Sequence, residues 1–108
     1  MAARNPYTDS TVHLSLVTIV AEAILERRLL RDLRALGVSG FTVTPAHGEG
    51  SRGSRTGDIE GGNVRVESIV HPDLAATILQ HVEAHYFEHY AVIVWVSEVG
   101  VLRGDKYL

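Results

Sequence analysis

Two segments that read as β-strands are apolar on both of their faces, and this feature constrains the fold most. Residues 12–20 (VHLSLVTIV) alternate at first and then become wholly apolar, and residues 90–99 (YAVIVWVSEV) are apolar for most of their length. Strands of this kind are covered on both faces of a sheet. Any sheet that contains them must therefore bury two faces.

The remaining segments supply a repeated pattern. Apolar residues recur at helical spacing over residues 22–36 and from Pro72 to about Phe87, while residues 40–46 and 63–70 read as strands. The order is β-α-β, a loop, and β-α-β. This order predicts a single α+β domain with the ferredoxin-like βαββαβ arrangement.

Local signals mark where these elements begin and end. Gly37 followed by Val38 is a good end for the first helix, and Pro72 suits the first turn of the second. Pro45 predicts that the second strand lies at an edge or leaves the sheet there.

Two helices can cover only one face of a four-stranded sheet. Val17, Ile19, Ile93 and Trp95 are expected on the opposite face, where a monomer would expose a large apolar patch. The sequence therefore predicts an oligomer with its sheet faces turned inward.

The composition excludes several functional classes. A chain of 108 residues forms one core, and a net charge of −3 argues against binding to nucleic acid. The chain has no cysteine, which excludes disulfides, thiolate metal sites and redox switching. Residues 1–11 are polar and are expected to form a flexible N-terminal tail before a domain over residues 12–108, in a cytoplasmic protein.

A candidate anion-binding loop lies between the two halves. Residues 48–57 (GEGSRGSRTG) contain four glycines, two arginines and three hydroxyl side chains. Glycine allows backbone N–H groups to approach a ligand, and the arginine fork matches phosphate oxygens. A solvated hairpin loop is the plainer interpretation, and composition alone leaves both open.

Other polar residues are further candidates. His81, His85 and His89 recur at helical spacing and could meet at a metal, although a partly buried or interfacial row is the simpler interpretation. Arg65 and Glu67 are expected to form a charged pair, with Arg65 alternatively directed toward a ligand. No nucleophile–base spacing is recognisable, so enzyme activity is not predicted.

The motif G-x-G-S-R-x-x-R at residues 48–55, in this βαββαβ frame and with Arg103 after the last strand, resembles the PII-like signalling proteins. The similarity runs over about residues 14–106 and includes ALGVSGFTV at residues 35–43 and HYFEHY at residues 85–90. The chain looks like the SbtB-type regulators, which partner sodium-dependent bicarbonate transporters in cyanobacteria.

This resemblance implies a homotrimer whose sheets face a central axis, with adenine nucleotides in the clefts between subunits. The implied effectors are cAMP, AMP, ADP and ATP, and a divalent cation could accompany ATP. The loop at about residues 47–62 would be the mobile T-loop. The implied partner is a membrane bicarbonate transporter, with the protein peripherally associated with the membrane when bound.

The resemblance also implies roles for individual residues. The base of the T-loop and Arg103 would hold phosphate, residues 87–90 would form a second nucleotide-facing loop, and Thr44 with the backbone near Val43 would line the base or ribose. The candidate nucleotide-binding residues are Val43, Thr44, Gly48, Gly50, Ser51, Arg52, Arg55, Arg65, Phe87, His89, Tyr90 and Arg103.

Three features depart from the nitrogen-sensing PII pattern. Residues 87–90 lack glycine and lysine, which favours ligands with fewer phosphates than ATP. No tyrosine lies between His47 and Gly62, so tyrosyl uridylylation of the T-loop is excluded. The chain ends at Leu108 without a cysteine-bearing extension, and the nucleotide hydrolysis associated with that extension is not expected.

Four alternatives share parts of this pattern. A carboxysome-associated PII-like protein that senses ADP or AMP with bicarbonate is the nearest. A weak ATP/ADP hydrolase has Glu49 as its loop carboxylate. A trimeric metal-tolerance protein shares the fold but leaves the glycine–arginine loop unexplained. An RNA-recognition domain is discarded, because residues 12–20 and 63–70 contain no aromatic side chain.

Overall fold

The described residues of the computed structural model are 10–50, 53–54, 62–103 and 106. They form two helices, α1 (Glu26–Leu36) and α2 (Pro72–Tyr86), and a 3₁₀ turn at Ala23–Leu25 precedes α1. The strands are β1 (Thr11–Glu22), β2 (Thr42–Ala46), β3 (Glu49–Gly50), β4 (Gly53–Ser54), β5 (Asn63–Val70) and β6 (Ile93–Leu102).

The four long strands form one antiparallel sheet in the order β2-β5-β1-β6. With α1 after β1 and α2 after β5, this confirms the predicted α+β, ferredoxin-like βαββαβ fold. The loop between β2 and β5 also contains the short β3–β4 hairpin, and the sequence analysis predicted no strands within this loop.

The core lies between the two helices and one face of the sheet. Ile19 and Val66 on the sheet are 1% exposed, as is Leu29 on α1, and Ile78 on α2 is fully buried. These side chains belong to one continuous apolar cluster. Burial of apolar area of this kind is the main stabilising term of a small domain.

The register determines what the other face carries. Thr18 pairs with Trp95 on β6 and with Glu67 on β5, and none of the three belongs to the core cluster. We call this helix-free side the open face; its side chains include Leu16, Thr18, Val20, Thr42, Thr44, Arg65, Glu67, Ile69, Ile93 and Trp95.

The prediction of four residues on the open face is correct for two of them and wrong for the other two. Ile93 and Trp95 lie there and are 48% and 38% exposed. The prediction for Val17 and Ile19 is wrong, because both belong to the core cluster under the helices. In a strand that is apolar at almost every position, alternation does not identify the inner face.

The local stop and start signals are confirmed. Gly37 has φ +106° and the amide of Val38 donates to Leu33 O at 3.0 Å, which closes α1 with a left-handed glycine and a buried apolar residue. Pro72 lies in the first turn of α2. Pro45 lies on β2, which is an edge strand.

Three element boundaries differ from the predicted ones. β1 continues to Glu22, which pairs with Asn63, so the first helix begins at Glu26 rather than at Glu22. β2 starts two residues later than predicted, at Thr42. β6 starts at Ile93 rather than at Tyr90, because the Tyr90 amide still donates to Tyr86 O at 2.9 Å.

The predicted N-terminal tail lies almost wholly outside the described residues, and β1 begins at Thr11. Among the described helices, none combines the length and apolar character that a membrane span requires.

Candidate functional site

A cleft of about 340 Å³ opens near the β2 edge of the sheet. Its lining comes from Leu16 on β1, residues 40–42 at the start of β2, and residues 67–69 on β5. These segments lie far apart in sequence and meet only through strand pairing, since Leu16 pairs with Ile69 and Thr42 with Glu67. A volume of this size lies in the range of small-molecule sites.

A partly buried hydrogen bond holds the wall of the cleft. The Ser68 hydroxyl donates to Gly40 O at 2.6 Å, which fixes the segment before β2 against β5. Behind this wall, the Arg34 guanidinium lies 5.2 Å from the centroid of the Phe41 ring.

The charged group of the cleft lining is the Glu67 carboxylate. Its Oε2 accepts from Arg65 Nη2 at 3.4 Å and from Thr18 Oγ1 at 3.5 Å. The Arg65 guanidinium also lies 5.8 Å from the centroid of the Trp95 ring. The expected Arg65–Glu67 pair is therefore present, beside a partly apolar cavity. A carboxylate there can accept hydrogen bonds from an amino group, and the guanidinium can donate to an anion.

Three of the predicted site residues, Val43, Thr44 and Arg65, lie on the two strands that border this cleft. Thr44 pairs directly with Arg65, and both side chains are on the open face. Val43 instead packs against the core, so only its backbone is available at the open face. A contribution of the backbone near Val43 to a nucleotide site stays a prediction.

The base of the predicted T-loop is only partly described. Gly48 is exposed and a Cβ there would meet nothing within 4 Å, while Gly50 pairs with Gly53 in the β3–β4 hairpin. Ser51, Arg52 and Arg55 lie outside the described residues.

The second predicted loop follows α2, and we call residues 87–92 the α2–β6 loop. Phe87 is 48% exposed, and His89 presents a largely exposed ring. Tyr90 is directed to the helix side, where its hydroxyl accepts from Arg28 Nη1 at 3.3 Å. Sequence reasoning missed Arg28, because its partners are about sixty residues away.

Several of these parts share one end of the sheet. Glu22 pairs with Asn63, Asn63 with Ala46, and Val20 with Ile93, so the ends of β1 and β2 lie beside the starts of β5 and β6. The loop over residues 47–62 and the α2–β6 loop both attach here. We call it the loop end of the sheet.

Arg103 lies at the opposite end. It follows Leu102, which pairs with Thr11, and it has φ +61°, a left-handed conformation that is uncommon for a residue other than glycine. β1 has 12 residues, and at about 3.3 Å per residue it separates the two ends by roughly 36 Å. Within one chain, Arg103 and the loop end are too far apart to bind the same nucleotide.

His81 is the member of the histidine row that takes part in a helix–helix contact. Asp32 Oδ2 on α1 accepts from the Tyr86 hydroxyl at 2.6 Å and lies 3.0 Å from His81 Nε2 on α2. The centroids of the His85 and His81 rings lie 4.3 Å apart, with their planes tilted by 36°. In the described part of the chain, no group of three or more acidic or histidine side chains is arranged to hold a metal ion.

This contact shifts the pKa values of Asp32 and Tyr86. Burial works to raise the pKa of Asp32, but the hydrogen bonds from Tyr86 and His81 and the charge of Arg31 outweigh it and lower that pKa below its usual value. Burial and the same carboxylate raise the pKa of the Tyr86 hydroxyl. The hydroxyl therefore remains a donor over the neutral range.

The fold has a long loop between β2 and β5 and a cleft near the edge strand β2. These features define a ferredoxin-like protein of the PII type. A family model described as nitrogen regulatory protein P-II matches residues 14–106. The chain therefore belongs to the P-II family. Proteins of this family are homotrimeric signalling proteins that bind partner proteins.

Solved structures agree with this assignment. A PII-like signalling protein from Thermus thermophilus is 49% identical, covers 92% of this chain and 99% of its own, and superposes with a TM-score of 0.80. CPII from Thiomonas intermedia, bound to ADP and bicarbonate, is 22% identical over 91% of this chain and 97% of its own, with a TM-score of 0.79.

The B. subtilis GlnK–ATP complex is 16% identical over 81% of this chain and 82% of its own, with a TM-score of 0.54. At their low identities, the GlnK and CPII comparisons support the fold alone.

Proposed function

We propose that this chain is an adenine-nucleotide sensor that regulates inorganic carbon uptake by binding a sodium-dependent bicarbonate transporter. The observation that carries the nucleotide part is the open-face cleft with the Glu67 carboxylate at its side. The cleft has room for a nucleobase, and it lies toward edge strand β2, where a neighbouring subunit could complete it.

The chemistry of the cleft suits adenine. An exocyclic amino group can donate to Glu67, while Leu16 and Ile69 offer apolar contact to the flat base. Arg65, already bonded to Glu67, keeps donors free for a ribose or phosphate oxygen. The proposed binding mode therefore places the base on the open face and directs the phosphates away from it.

The phosphates would be held by Ser51, Arg52 and Arg55 from the T-loop and by Arg103. Because Arg103 lies at the far end of the sheet from the strand ends that flank the T-loop, we propose that it comes from a neighbouring copy of the chain. This arrangement agrees with nucleotide sites between the subunits of a homotrimer. The α2–β6 loop lacks lysine, which favours cAMP, AMP and ADP over ATP.

The ligands of a structural neighbour support this proposal. Thiomonas CPII has been solved with ADP, AMP and bicarbonate. In this chain, nucleotide contacts would change the population of T-loop conformations, and a transporter that recognises one conformation would respond to adenylate levels. A signalling role of this kind needs no catalytic residue.

Titration calorimetry of the purified protein against cAMP, AMP, ADP and ATP tests the nucleotide part. Replacing Arg52 or Arg55 by alanine should each cost about 1.5–3 kcal/mol of binding free energy, the range for hydrogen bonds to charged groups. Arg27→Ala, at an exposed position on α1, is the control. Unchanged affinity in the Arg52→Ala/Arg55→Ala double variant would contradict the role of this loop.

Pull-down from membranes tests the transporter part. Deletion of residues 57–61 should leave nucleotide binding largely intact while abolishing capture of the transporter, with or without ADP or cAMP. A deletion variant that still captured the transporter normally would refute the T-loop switch.

A second candidate is direct sensing of bicarbonate together with ADP or AMP. The bicarbonate in CPII favours it. Adding bicarbonate to the ADP titration separates the two: direct sensing predicts tighter ADP binding in its presence, whereas a pure nucleotide sensor binds ADP equally with and without it.

A further inference from the structure

The Arg28 guanidinium joins α1 to the end of α2 through four contacts. Nη1 donates to the Tyr90 hydroxyl and Nη2 to His85 O, each at 3.3 Å. The same group lies 4.5 Å from the centroid of the Tyr86 ring and 5.6 Å from that of Tyr90. A planar guanidinium can make these contacts simultaneously, whereas a lysine ammonium offers one compact charge.

The bond from Arg28 to His85 O involves a backbone carbonyl at the end of α2. His85 lies in the last turn of α2, where carbonyl groups have no intrahelical partner and the helix dipole is negative. Arg28 therefore caps α2. By also bonding Tyr90, it fixes a residue in the middle of the α2–β6 loop relative to the end of the helix.

The start of α1 also contacts the end of the loop over residues 47–62. The Ala23 amide, in the turn before α1, donates to Gly62 O at 3.0 Å. Gly62 has φ +69° and is the residue immediately before β5. The start of α1 therefore forms hydrogen bonds with both loops of the loop end: Arg28 with the α2–β6 loop, and Ala23 with the last residue of the loop over residues 47–62.

We infer that Arg28 is a positioning residue that holds the α2–β6 loop in the conformation that nucleotide binding requires. The inference rests on the proposed nucleotide function. Arg28 itself does not touch the ligand; it acts through Tyr90 and His85 O. Without it, Tyr90 loses both its hydrogen-bond donor and the cation over its ring, and the loop samples conformations that must be reordered on binding.

The test compares Arg28→Ala, Arg28→Lys and Tyr90→Phe with the wild-type protein, with Arg27→Ala as the matched control. ADP affinity is measured by calorimetry, and amide exchange over residues 86–93 is measured with and without ADP. We expect Arg28→Ala to weaken ADP binding at least fivefold and to speed exchange in the ligand-free loop. Arg28→Lys should restore less than half of the lost affinity, on a logarithmic scale, and Arg27→Ala should match the wild type.

The possible failures are distinguishable. If wild-type protein binds none of the four nucleotides, the proposed function fails. If the wild type binds ADP but Arg28→Ala and Tyr90→Phe bind it within twofold and show unchanged loop exchange, the positioning role is wrong. If Arg28→Ala fails to fold, the Arg28→Lys and Tyr90→Phe variants decide: affinity and loop exchange equal to wild type in both would overturn the inference.

Discussion

The Tyr86 hydroxyl donates a 2.6 Å hydrogen bond to Asp32 Oδ2, and this bond joins the end of α2 to the middle of α1. Tyr86 is 1% exposed, so its ring packs in the core while its hydroxyl reaches a carboxylate at the edge of the core. Tyr86→Phe removes the donor and leaves the ring. We expect it to lower the free energy of unfolding by about 1.5–3 kcal/mol, measured by urea denaturation. Tyr90→Phe removes an exposed hydrogen bond with Arg28 and should cost less, so an equal loss in both variants would contradict the prediction.

The stabilising effect of Asp32 should depend on pH. Its pKa is lowered in the folded protein, so its contribution is present above the unfolded pKa and is lost as the pH falls through the folded one. We expect Asp32→Asn to be less stable than wild type at neutral pH, and the difference to shrink once the pH falls below the usual aspartate pKa of about 3.9. A difference that stayed constant down to about pH 2.5, well below that usual value, would mean that the carboxylate charge is not responsible.

The open face should control assembly. Trp95→Asp places a charge on a face that the proposed trimer would cover, and we expect it to reduce the trimer to smaller species in light scattering. Leu79→Asp is a matched control, because Leu79 on α2 is 36% exposed against 38% for Trp95. A wild-type protein that is monomeric at micromolar concentration, or a Trp95→Asp variant that remains trimeric, would contradict this prediction.

The Glu67 carboxylate should select the base. Glu67→Gln keeps the size of the side chain but replaces one acceptor oxygen by a donor, so affinity for adenine nucleotides should fall about 10-fold or more, the effect of losing a hydrogen bond to a charged group. A purine nucleotide that lacks the exocyclic amino group should lose less, because it has no amino donor for Glu67 to accept from. Equal losses for ADP and this purine diphosphate would argue that Glu67 acts only by holding Arg65.

The βαββαβ order could be predicted because each half combines strand and helix periodicities with residues that mark where a helix begins or ends. Gly37 and Pro72 mark helix boundaries through backbone conformation alone, which a sequence displays directly. The inner face of β1 could not be predicted, because Val17 and Leu16 are equally apolar and only pairing with β5 and β6 decides between them.

The candidate site likewise combines local features that the sequence indicated with long-range contacts that it did not. A glycine–arginine loop and an Arg65–Glu67 pair on one strand are local features, and the sequence indicated both. The cleft and the Arg28–Tyr90 contact join segments separated by tens of residues, so they depend on register and on helix packing. Neither leaves a local signature, although an arginine in the first turn of one helix and a tyrosine just after another helix are compatible with such a contact.

The separation of Arg103 from the loop end has a thermodynamic consequence. A nucleotide that touches both must act as a cross-link between two chains, so its binding and the association of subunits become linked equilibria. Saturating ligand should shift dissociation of the assembly to lower protein concentration, and dilution should weaken apparent affinity. The chain would then report adenylate levels only as a member of an assembly, and its cellular abundance would set the sensitivity of the signal.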